Sequence, residues 1–228
     1  MPLQDRKQRQ FVCREQEILA AALELCSTPD WETVTVSEIA RHAEVGKGTV
    51  YKHFASKDEL LFRLMMNFYR GLLDILREQR PQDSATEQLR LAVERALRYH
   101  ADNREYRYVV AYCDRIDFKE RANARWQQDF LALDRAFMDW ASPILTTGMH
   151  EGVIEPRPLE QLLLGISAAF KGAIAMIWSS QDWRPIGDNE TVITAVKEFV
   201  MAALVGRSDG ARLAAGSCGQ RQQEVSPQ

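Results

Sequence analysis

Residues 36–61 constrain the fold of this chain more than any other segment. Their sequence is VSEIARHAEVGKGTVYKHFASKDELL, which predicts two short helices joined by a tight turn and followed by the start of a third helix. Basic and hydroxyl side chains are concentrated on the second of these helices. Such an arrangement is typical of protein segments that present a helix to the major groove of DNA.

Positive charge is concentrated in two short segments of a chain whose formal net charge is −3. Residues 1–14 contain four basic residues and one acidic residue, and residues 41–57 contain the same numbers. Attraction for nucleic acid would therefore come from a local patch and not from the field of the whole molecule.

Hydrophobic periodicity predicts helices along the chain and strands nowhere, so the predicted fold class is all-α with nine or ten helices. The sparse Gly (12) and Pro (8) also favour helices over a β-sandwich. Pro143 is expected to bend or divide the long helix over 118–150. The other predicted helices cover about 8–25, 35–43, 47–54, 56–79, 84–97, 106–113, 159–180 and 189–205. Capping-box patterns mark three helix starts, at Thr35 with Glu38, Ser56 with Glu59 and Ser84 with Glu87.

This pattern predicts three segments of unequal size. Residues 1–55 are predicted to form a three-helix domain of the helix-turn-helix type, and residues 56–205 are predicted to form a larger helical domain. Residues 206–228 have little to bury and are predicted to be a disordered tail.

Neither a metal site nor an enzyme active site is indicated. The four cysteines lack CxxC spacing and a nearby histidine partner, which predicts neither a zinc module nor a disulfide framework. The segment 46–49 is superficially similar to a phosphate-binding loop but lacks the upstream strand and glycine. We therefore expect no catalytic residues and no cofactor, and treat an enzyme as the disfavoured alternative.

Residues 162–178 form the longest apolar run, which is short for a membrane span and is interrupted by Lys171. The N-terminus is charged and lacks the apolar core of a signal peptide. The sequence therefore predicts a cytoplasmic protein without a membrane partner.

The run TVSEIARHAEVGKGTVYKHFASKDELL, residues 35–61, closely resembles the DNA-binding segment of TetR-family transcriptional regulators. The family pattern T-x-x-x-IA-x-x-A-x-V-x-x-G-T-x-Y-x-HF-x-x-K-x-x-L is present, and the match extends over roughly residues 14–62. Three positions depart from it. Glu44 stands where glycine is usual in the turn, Gly46 where a serine often caps the recognition helix, and Asp30 where glycine commonly follows the first helix.

The resemblance implies that the partner is a double-stranded DNA operator. Lys47, Thr49 and Ser37 would approach bases, because lysine donates to guanine acceptors and threonine can meet a base edge or a thymine methyl. Gly48 would permit close backbone approach, and Lys52 occupies a variable position. Phosphate contacts are expected from Thr35, Tyr51, His53 and Lys57. The alternative for any one of these residues is a core or solubilising role.

The resemblance also implies that residues 1–55 bind DNA and that residues 56–205 are the domain for effector binding and dimerisation. A homodimer would form through the helices at about 159–180 and 189–205. Both are apolar around most of their circumference and would expose a large patch if left alone. A two-fold dimer predicts a pseudo-palindromic operator. The alternative is that both helices belong to the core of one subunit.

Aromatic residues are concentrated in the middle of the chain, where the resemblance places a pocket for a small-molecule effector of apolar character. Candidate polar anchors are His100, Arg115 and Lys171. Candidate effector-binding residues are Tyr99, Tyr112, Trp126, Phe130, Phe170 and Trp178, although an aromatic stripe at helical spacing is also expected of an ordinary core. The predicted function is a repressor released from DNA by its effector, and the alternative is a regulator that activates or acts through a protein partner without a ligand.

Overall fold

The computed structural model describes residues 3–79, 84–179 and 187–205. Over these ranges the chain forms ten α-helices and two short 3-10 helices, at Trp31–Thr33 and Arg104–Tyr106, and contains no strand. The α-helices are α1 (Leu3–Cys26), α2 (Val36–His42), α3 (Lys47–His53), α4 (Lys57–Arg77), α5 (Ala85–Asp102), α6 (Arg107–Cys113), α7 (Ile116–Arg121), α8 (Ala124–His150), α9 (Leu159–Trp178) and α10 (Asn189–Val205). The predicted all-α fold is therefore confirmed for the described residues.

Helices α1, α2 and α3 close around a small apolar core, because each supplies aliphatic or aromatic side chains from one face. Ile18, Ile39, Val50 and Phe54 are almost fully buried there. Ala40 is also buried, and its short side chain is what lets α2 and α3 cross closely. These contacts fix the orientation of α3 relative to the rest of the chain.

Helix α4 joins this small core to the remaining helices. Its strongly apolar stripe, which includes Leu60, Leu64 and Phe68, lies in the same buried cluster as Ile18 of α1 and Val109 of α6. The proposed boundary near residue 55 therefore coincides with a loop between helices but not with a break in the buried cluster.

Helices α5, α8, α9 and α10 form a second apolar cluster. Leu97 of α5, Leu145 of α8, Ile177 of α9 and Ile193 of α10 are among its most buried members. An ion-pair network ties α5 to α10, since Lys197 Nζ lies 2.8 Å from Glu94 Oε2 and Arg98 contacts both Glu94 and Glu190.

The helix predicted over 118–150 is wrong in one respect, because the structure divides it at residues 122–123 and not at Pro143. Asn123 caps the start of α8 by accepting a hydrogen bond from the Trp126 backbone N–H at 3.0 Å, a signal that the hydrophobic periodicity hides. Helix α8 continues through Pro143 to His150. The predicted disordered tail lies outside the described residues.

Among the described helices, α9 alone is long and apolar enough to cross a membrane by length and composition, and 17% of its most apolar stretch is buried. Leu164 is 72% exposed, and Gly165 and Gly172 have open space beside them. This helix therefore has an apolar face that no residue of the ranges 3–79, 84–179 and 187–205 covers.

Candidate nucleic-acid interface and internal cavity

The turn between α2 and α3 is built from local hydrogen bonds and one strained residue. Thr35 accepts a hydrogen bond from the Glu38 backbone N–H, and Glu38 accepts one from the Thr35 backbone N–H, which completes the predicted capping box. The Val45 N–H donates to the Ala40 carbonyl at 2.9 Å. Glu44 has a φ of 53°, in the left-handed region that favours glycine.

Helix α3 is two turns long and directs most of its polar residues outward. Val50 is its buried residue, whereas Lys47, Gly48 and Lys52 are exposed and Thr49 is half-buried. Tyr51 is 48% exposed, with Lys47 Nζ 6.0 Å from its ring centroid. The N-terminal half of α3 therefore presents cationic, hydroxyl and backbone donors on one accessible surface.

His53 is placed differently from the expected phosphate contact. Its imidazole stacks on Phe11 of α1 at a centroid distance of 3.9 Å, and the side chain is only 4% exposed. The nearest carboxylate oxygen, Glu15 Oε2, is 4.0 Å from Nδ1, which has no hydrogen-bond partner. This ring therefore packs α1 against α3, and the phosphate contact expected of His53 stays a prediction.

Lys57 is also engaged within the protein. Its ammonium group donates to the backbone carbonyls of Trp31 and Glu32 at 3.2 and 3.0 Å, and it lies 5.4 Å from the Trp31 ring centroid. A cation in the first turn of a helix opposes the helix dipole, and the sequence suggested a bound phosphate as compensation. In the structure the two carbonyls and the aromatic face stabilise this cation. A phosphate contact is therefore not needed to explain a lysine in the first turn of the helix.

At the start of α2, the side chains of Thr35 and Ser37 are both exposed. The Thr35 hydroxyl is already committed, because it donates to Glu38 Oε2 at 2.8 Å while accepting from the Glu38 N–H. The Ser37 hydroxyl has no partner among the described residues. Of these two predicted DNA contacts, Ser37 is the freer donor.

The structure places exposed basic residues of α1, which lie outside the helix-turn-helix motif, close to α3. Helix α1 begins at Leu3, about five residues before its predicted start, and Arg6, Lys7, Arg9 and Arg14 are exposed on it. Lys7 and Phe11 are four residues apart and share a helical face. Because Phe11 packs on His53 of α3, the basic first turns of α1 are held beside the recognition helix.

A polar link connects α4 to α6 and α7 at the edge of the helix-turn-helix unit. The Tyr112 hydroxyl donates to Asp58 Oδ1 at 2.8 Å, and Arg121 donates to the same hydroxyl oxygen at 3.1 Å. The Tyr112 ring also packs edge-on against Trp31, with centroids 4.9 Å apart. Burial and the Asp58 carboxylate together raise the pKa of Tyr112, so this phenol stays protonated and keeps donating.

A cavity of about 360 Å³ lies between α4, α5, α8 and α9, with Leu204 of α10 at its wall. This volume is within the range of small-molecule sites. Its lining is mostly apolar, with Leu72, Phe137 and Trp140 as examples. The polar residues at the wall are Tyr69, His100, Asp134, Ser167 and Lys171.

Two of the six predicted effector residues, Phe130 and Phe170, line this cavity. The other four are not among its lining residues and pack against other side chains, so their effector-binding role stays a prediction. Trp126 stacks on Phe62, Tyr112 packs on Trp31, and Tyr99 and Trp178 surround Phe68.

The three predicted polar anchors are divided in a similar way. His100 and Lys171 line the cavity, whereas Arg115 forms an ion pair with Asp117 at 2.8 Å and lies 3.6 Å from Glu32, next to the DNA-binding unit. His100 is buried among rings from α4, α5 and α9. Helical periodicity alone could not separate cavity wall from core, because both are apolar.

Comparison with known proteins supports a regulatory role. Residues 18–64 match the family model described as bacterial regulatory proteins, tetR family. The HTH-type transcriptional regulator HbdR of Aromatoleum sp. (strain CIB) is 34% identical over 109 residues, which are 48% of this chain and 41% of that protein. The aligned part of the chain thus spans less than half of the length of this relative.

Solved structures share the fold over most of the chain. The fatty acid degradation regulator FadR from Bacillus halodurans superposes with a TM-score of 0.67 at 18% identity, covering 85% of this chain and 97% of that one. The regulator FadR from Bacillus subtilis in complex with stearoyl-CoA gives a TM-score of 0.61 at 20% identity, covering 83% and 98%. At such identities the likeness establishes the fold alone.

Proposed function

We propose that this chain is a TetR-family transcriptional regulator that acts as a homodimeric repressor, and that a small apolar effector releases it from its operator. Its relatives and its fold are those of transcriptional regulators and not of enzymes. The observation that carries the proposal is the pairing of an accessible, basic α3 with an internal cavity in one chain. The protein acts in the cytoplasm, where the operator is.

The DNA contacts proposed for α3 follow from its exposed surface. Lys47 and Thr49 reach base edges in the major groove, the backbone at Gly48 approaches closely, and Tyr51 and Lys52 donate to phosphates. Ser37 of α2 adds a hydroxyl on the same side. Base contacts set the sequence preference, whereas phosphate contacts set the position of the protein.

The dimer interface proposed here consists of the exposed stripes of α9 and α10. On α9 the stripe contains Leu164, Ala168 and Gly172, and on α10 it contains Ala195 and Phe199, which is 69% exposed. Small residues on α9 would let its backbone approach a partner helix closely. A four-helix contact with a second copy would bury both stripes and place two recognition helices on one pseudo-palindromic operator.

Effector release follows from differential binding. The cavity borders α4, and side chains of α4 also lie in the same buried cluster as those of the helix-turn-helix unit. A ligand that fits better when α4 is displaced would shift the dimer toward an arrangement whose recognition helices no longer match the operator spacing. A stearoyl-CoA complex is known for the similarly folded FadR of Bacillus subtilis, which supports a largely apolar effector for this cavity.

The test begins with selection of genomic fragments that bind the purified protein, followed by footprinting on the recovered site. A symmetric footprint that Lys47→Ala weakens on the selected site, with little effect on random duplex, supports the proposal. The control is Lys119→Ala on α7. Failure to bind any duplex at low ionic strength would refute the DNA-binding role.

The dimer is tested separately by sedimentation equilibrium. Phe199→Glu should yield monomers and lower operator affinity, whereas Glu198→Gln at the neighbouring exposed position should remain dimeric. Wild-type protein that sediments as a monomer at micromolar concentration would contradict the proposed interface.

A further inference from the structure

The polar residues at the cavity wall fall into two groups. Asp134, Ser167 and Lys171 are exposed and lie where the cavity meets the surface. His100 is 1% exposed, the only buried polar or charged residue in the described parts of the chain, and it lies at the interior wall. Tyr69 lies there too, with its ring centroid 6.5 Å from that of His100.

The hydrogen bond of His100 to its own helix fixes which ring nitrogen carries the proton. Nδ1 lies 2.7 Å from the backbone carbonyl oxygen of Ala96, and a carbonyl oxygen only accepts, so Nδ1 is the donor. Burial lowers the pKa of His100 to about 4, so the ring is neutral at physiological pH. Nε2 therefore bears a lone pair and acts as an acceptor only.

Nε2 of His100 has no hydrogen-bond partner within the described residues. Neighbouring donors are committed elsewhere, because the Tyr99 hydroxyl donates to the Phe68 carbonyl and Trp178 Nε1 donates to the carbonyl of His100 itself. Leaving a buried acceptor unpaired is energetically unfavourable, because the group has lost its hydrogen bond to water. A group that brings a donor to Nε2 recovers part of this cost.

We propose that the cavity binds an apolar molecule bearing an uncharged hydrogen-bond donor, such as a hydroxyl group. This group donates a hydrogen bond to His100 Nε2. This inference rests on the proposed effector site and specifies its ligand class. The Tyr69 hydroxyl, which has no hydrogen-bond partner among the described residues, is the group that can donate to the oxygen of the same ligand. Burial raises the pKa of Tyr69 to about 12, so this phenol retains its proton.

Charged ligand groups fit this end of the cavity poorly. A carboxylate presents acceptors to an acceptor and would require proton uptake by a histidine that burial keeps neutral. A cation would lie among apolar and aromatic side chains, since the carboxylate at the wall, Asp134, is in the exposed group. Uncharged donors meet neither penalty.

The experiment compares matched probes on the full chain without DNA. Straight-chain alcohols of six to twelve carbons are each paired with a methyl ether of equal heavy-atom count, and 4-butylphenol is paired in the same way with 4-propylanisole. Calorimetry should show each binding alcohol or phenol to be about tenfold tighter than its ether, as expected for loss of one hydrogen bond near 1.4 kcal/mol. In protein labelled with ¹⁵N-histidine, the Nε2 resonance of His100 should shift with the alcohol and not with the ether.

Two variants test whether the preference for alcohols over ethers depends on His100. His100→Phe keeps an aromatic ring in the cluster and should remove the preference of alcohol over ether. The control Phe130→Leu, at a lining residue on α8, should change the affinity for both members of a pair equally. If His100→Phe does not fold, the ¹⁵N shift of the wild-type protein decides the outcome.

Equal affinity for alcohol and ether, an unmoved Nε2 resonance, or absence of binding by every alcohol and phenol of the panel at millimolar concentration would overturn the proposal. So would tighter binding of decanoate than of 1-decanol across the neutral range. An alcohol that binds through His100 but leaves operator affinity unchanged would refute effector control while leaving the ligand class intact, so the two failures are distinguishable.

Discussion

Phe11 stacks on His53 with a centroid separation of 3.9 Å and an interplanar angle of 28°. The contact joins the N-terminal part of α1 to the last residue of α3, and His53 otherwise has no hydrogen bond through Nδ1. It holds the basic first turns of α1 at a fixed position beside the recognition helix. This aromatic pair therefore contributes to the orientation of that charge, and not only to its amount.

The exposed charges of α1 should contribute to DNA affinity without contributing sequence preference. Replacing Arg6, Lys7 and Arg9 by glutamine should weaken binding to operator and to random duplex by similar factors. The slope of log affinity against log salt should fall by about two to three units, because roughly one counterion is released for each phosphate neutralised. Filter-binding titrations between 50 and 200 mM salt would measure this slope. The matched control replaces Arg70, Arg125 and Arg135, exposed residues of α4 and α8, and an equal loss there would contradict a specific role for α1.

The backbone of Glu44 is strained in the turn, since its φ is 53°. Glu44→Gly should raise the free energy of unfolding by about 0.5–1 kcal/mol, because relief of left-handed strain exceeds the added entropy of a glycine in the unfolded chain. Urea denaturation would detect this change. Glu44→Ala keeps the Cβ atom and should give no such gain; stabilisation by alanine equal to that by glycine would point to removal of the carboxylate instead.

Gly46 caps α3 without a side-chain hydrogen bond, and a Cβ atom there would lie 3.9 Å from Thr49 Oγ1. Gly46→Ser therefore fits sterically and supplies an acceptor for an unpaired N–H of the first turn. We expect stabilisation by a few tenths of a kcal/mol. Thermal unfolding of Gly46→Ser beside Gly46→Ala would show it, and alanine should be the less stable of the two.

Lys57 should behave as a structural residue and not as a phosphate contact. Lys57→Met keeps much of the aliphatic stem but loses the bonds to the carbonyls of Trp31 and Glu32. We expect a loss of about 1–3 kcal/mol in the free energy of unfolding, with no change in the salt slope of DNA binding. The comparison variant is Lys52→Met, which makes the same substitution at an exposed lysine. A salt slope reduced by one unit without any loss of stability would restore the phosphate contact predicted from the sequence.

His100 makes the stability of the folded chain sensitive to acid. Its pKa in the folded state is about 4, below the value of 6.5 for an unperturbed histidine. Between these two values the unfolded chain binds a proton that the folded chain does not, so the free energy of unfolding decreases as the pH falls from 6.5 towards 4. The decrease attributable to this residue is up to roughly 3 kcal/mol, and no contribution is expected above pH 6.5.

Urea titrations at several pH values would measure this effect. The difference between wild type and His100→Phe should be constant above pH 6.5 and should shift in favour of the variant below it. Parallel curves for the two proteins down to pH 4 would mean that His100 titrates alike in the folded and unfolded states.

The helical class, the helix-turn-helix unit and most helix boundaries could be predicted from the amino-acid sequence. These features depend on residues close together in the chain: hydrophobic spacing, the Thr35–Glu38 box and the short apolar set around Ala40. The segment over 118–150 was mistaken because the same apolar spacing continues across a local cap at Asn123. Signals from residues close together in the chain therefore predicted the local structure but not the contacts between distant helices.

Tertiary structure decided which side chains are free to act. His53 packs under Phe11, and Lys57 donates to two backbone carbonyls. Phe130 lines the cavity, whereas Trp126 stacks on another aromatic ring. Each outcome depends on contacts between helices distant in sequence. Aromatic and cationic side chains suit either a core or a surface, and only the packing of neighbouring helices selects between the two environments.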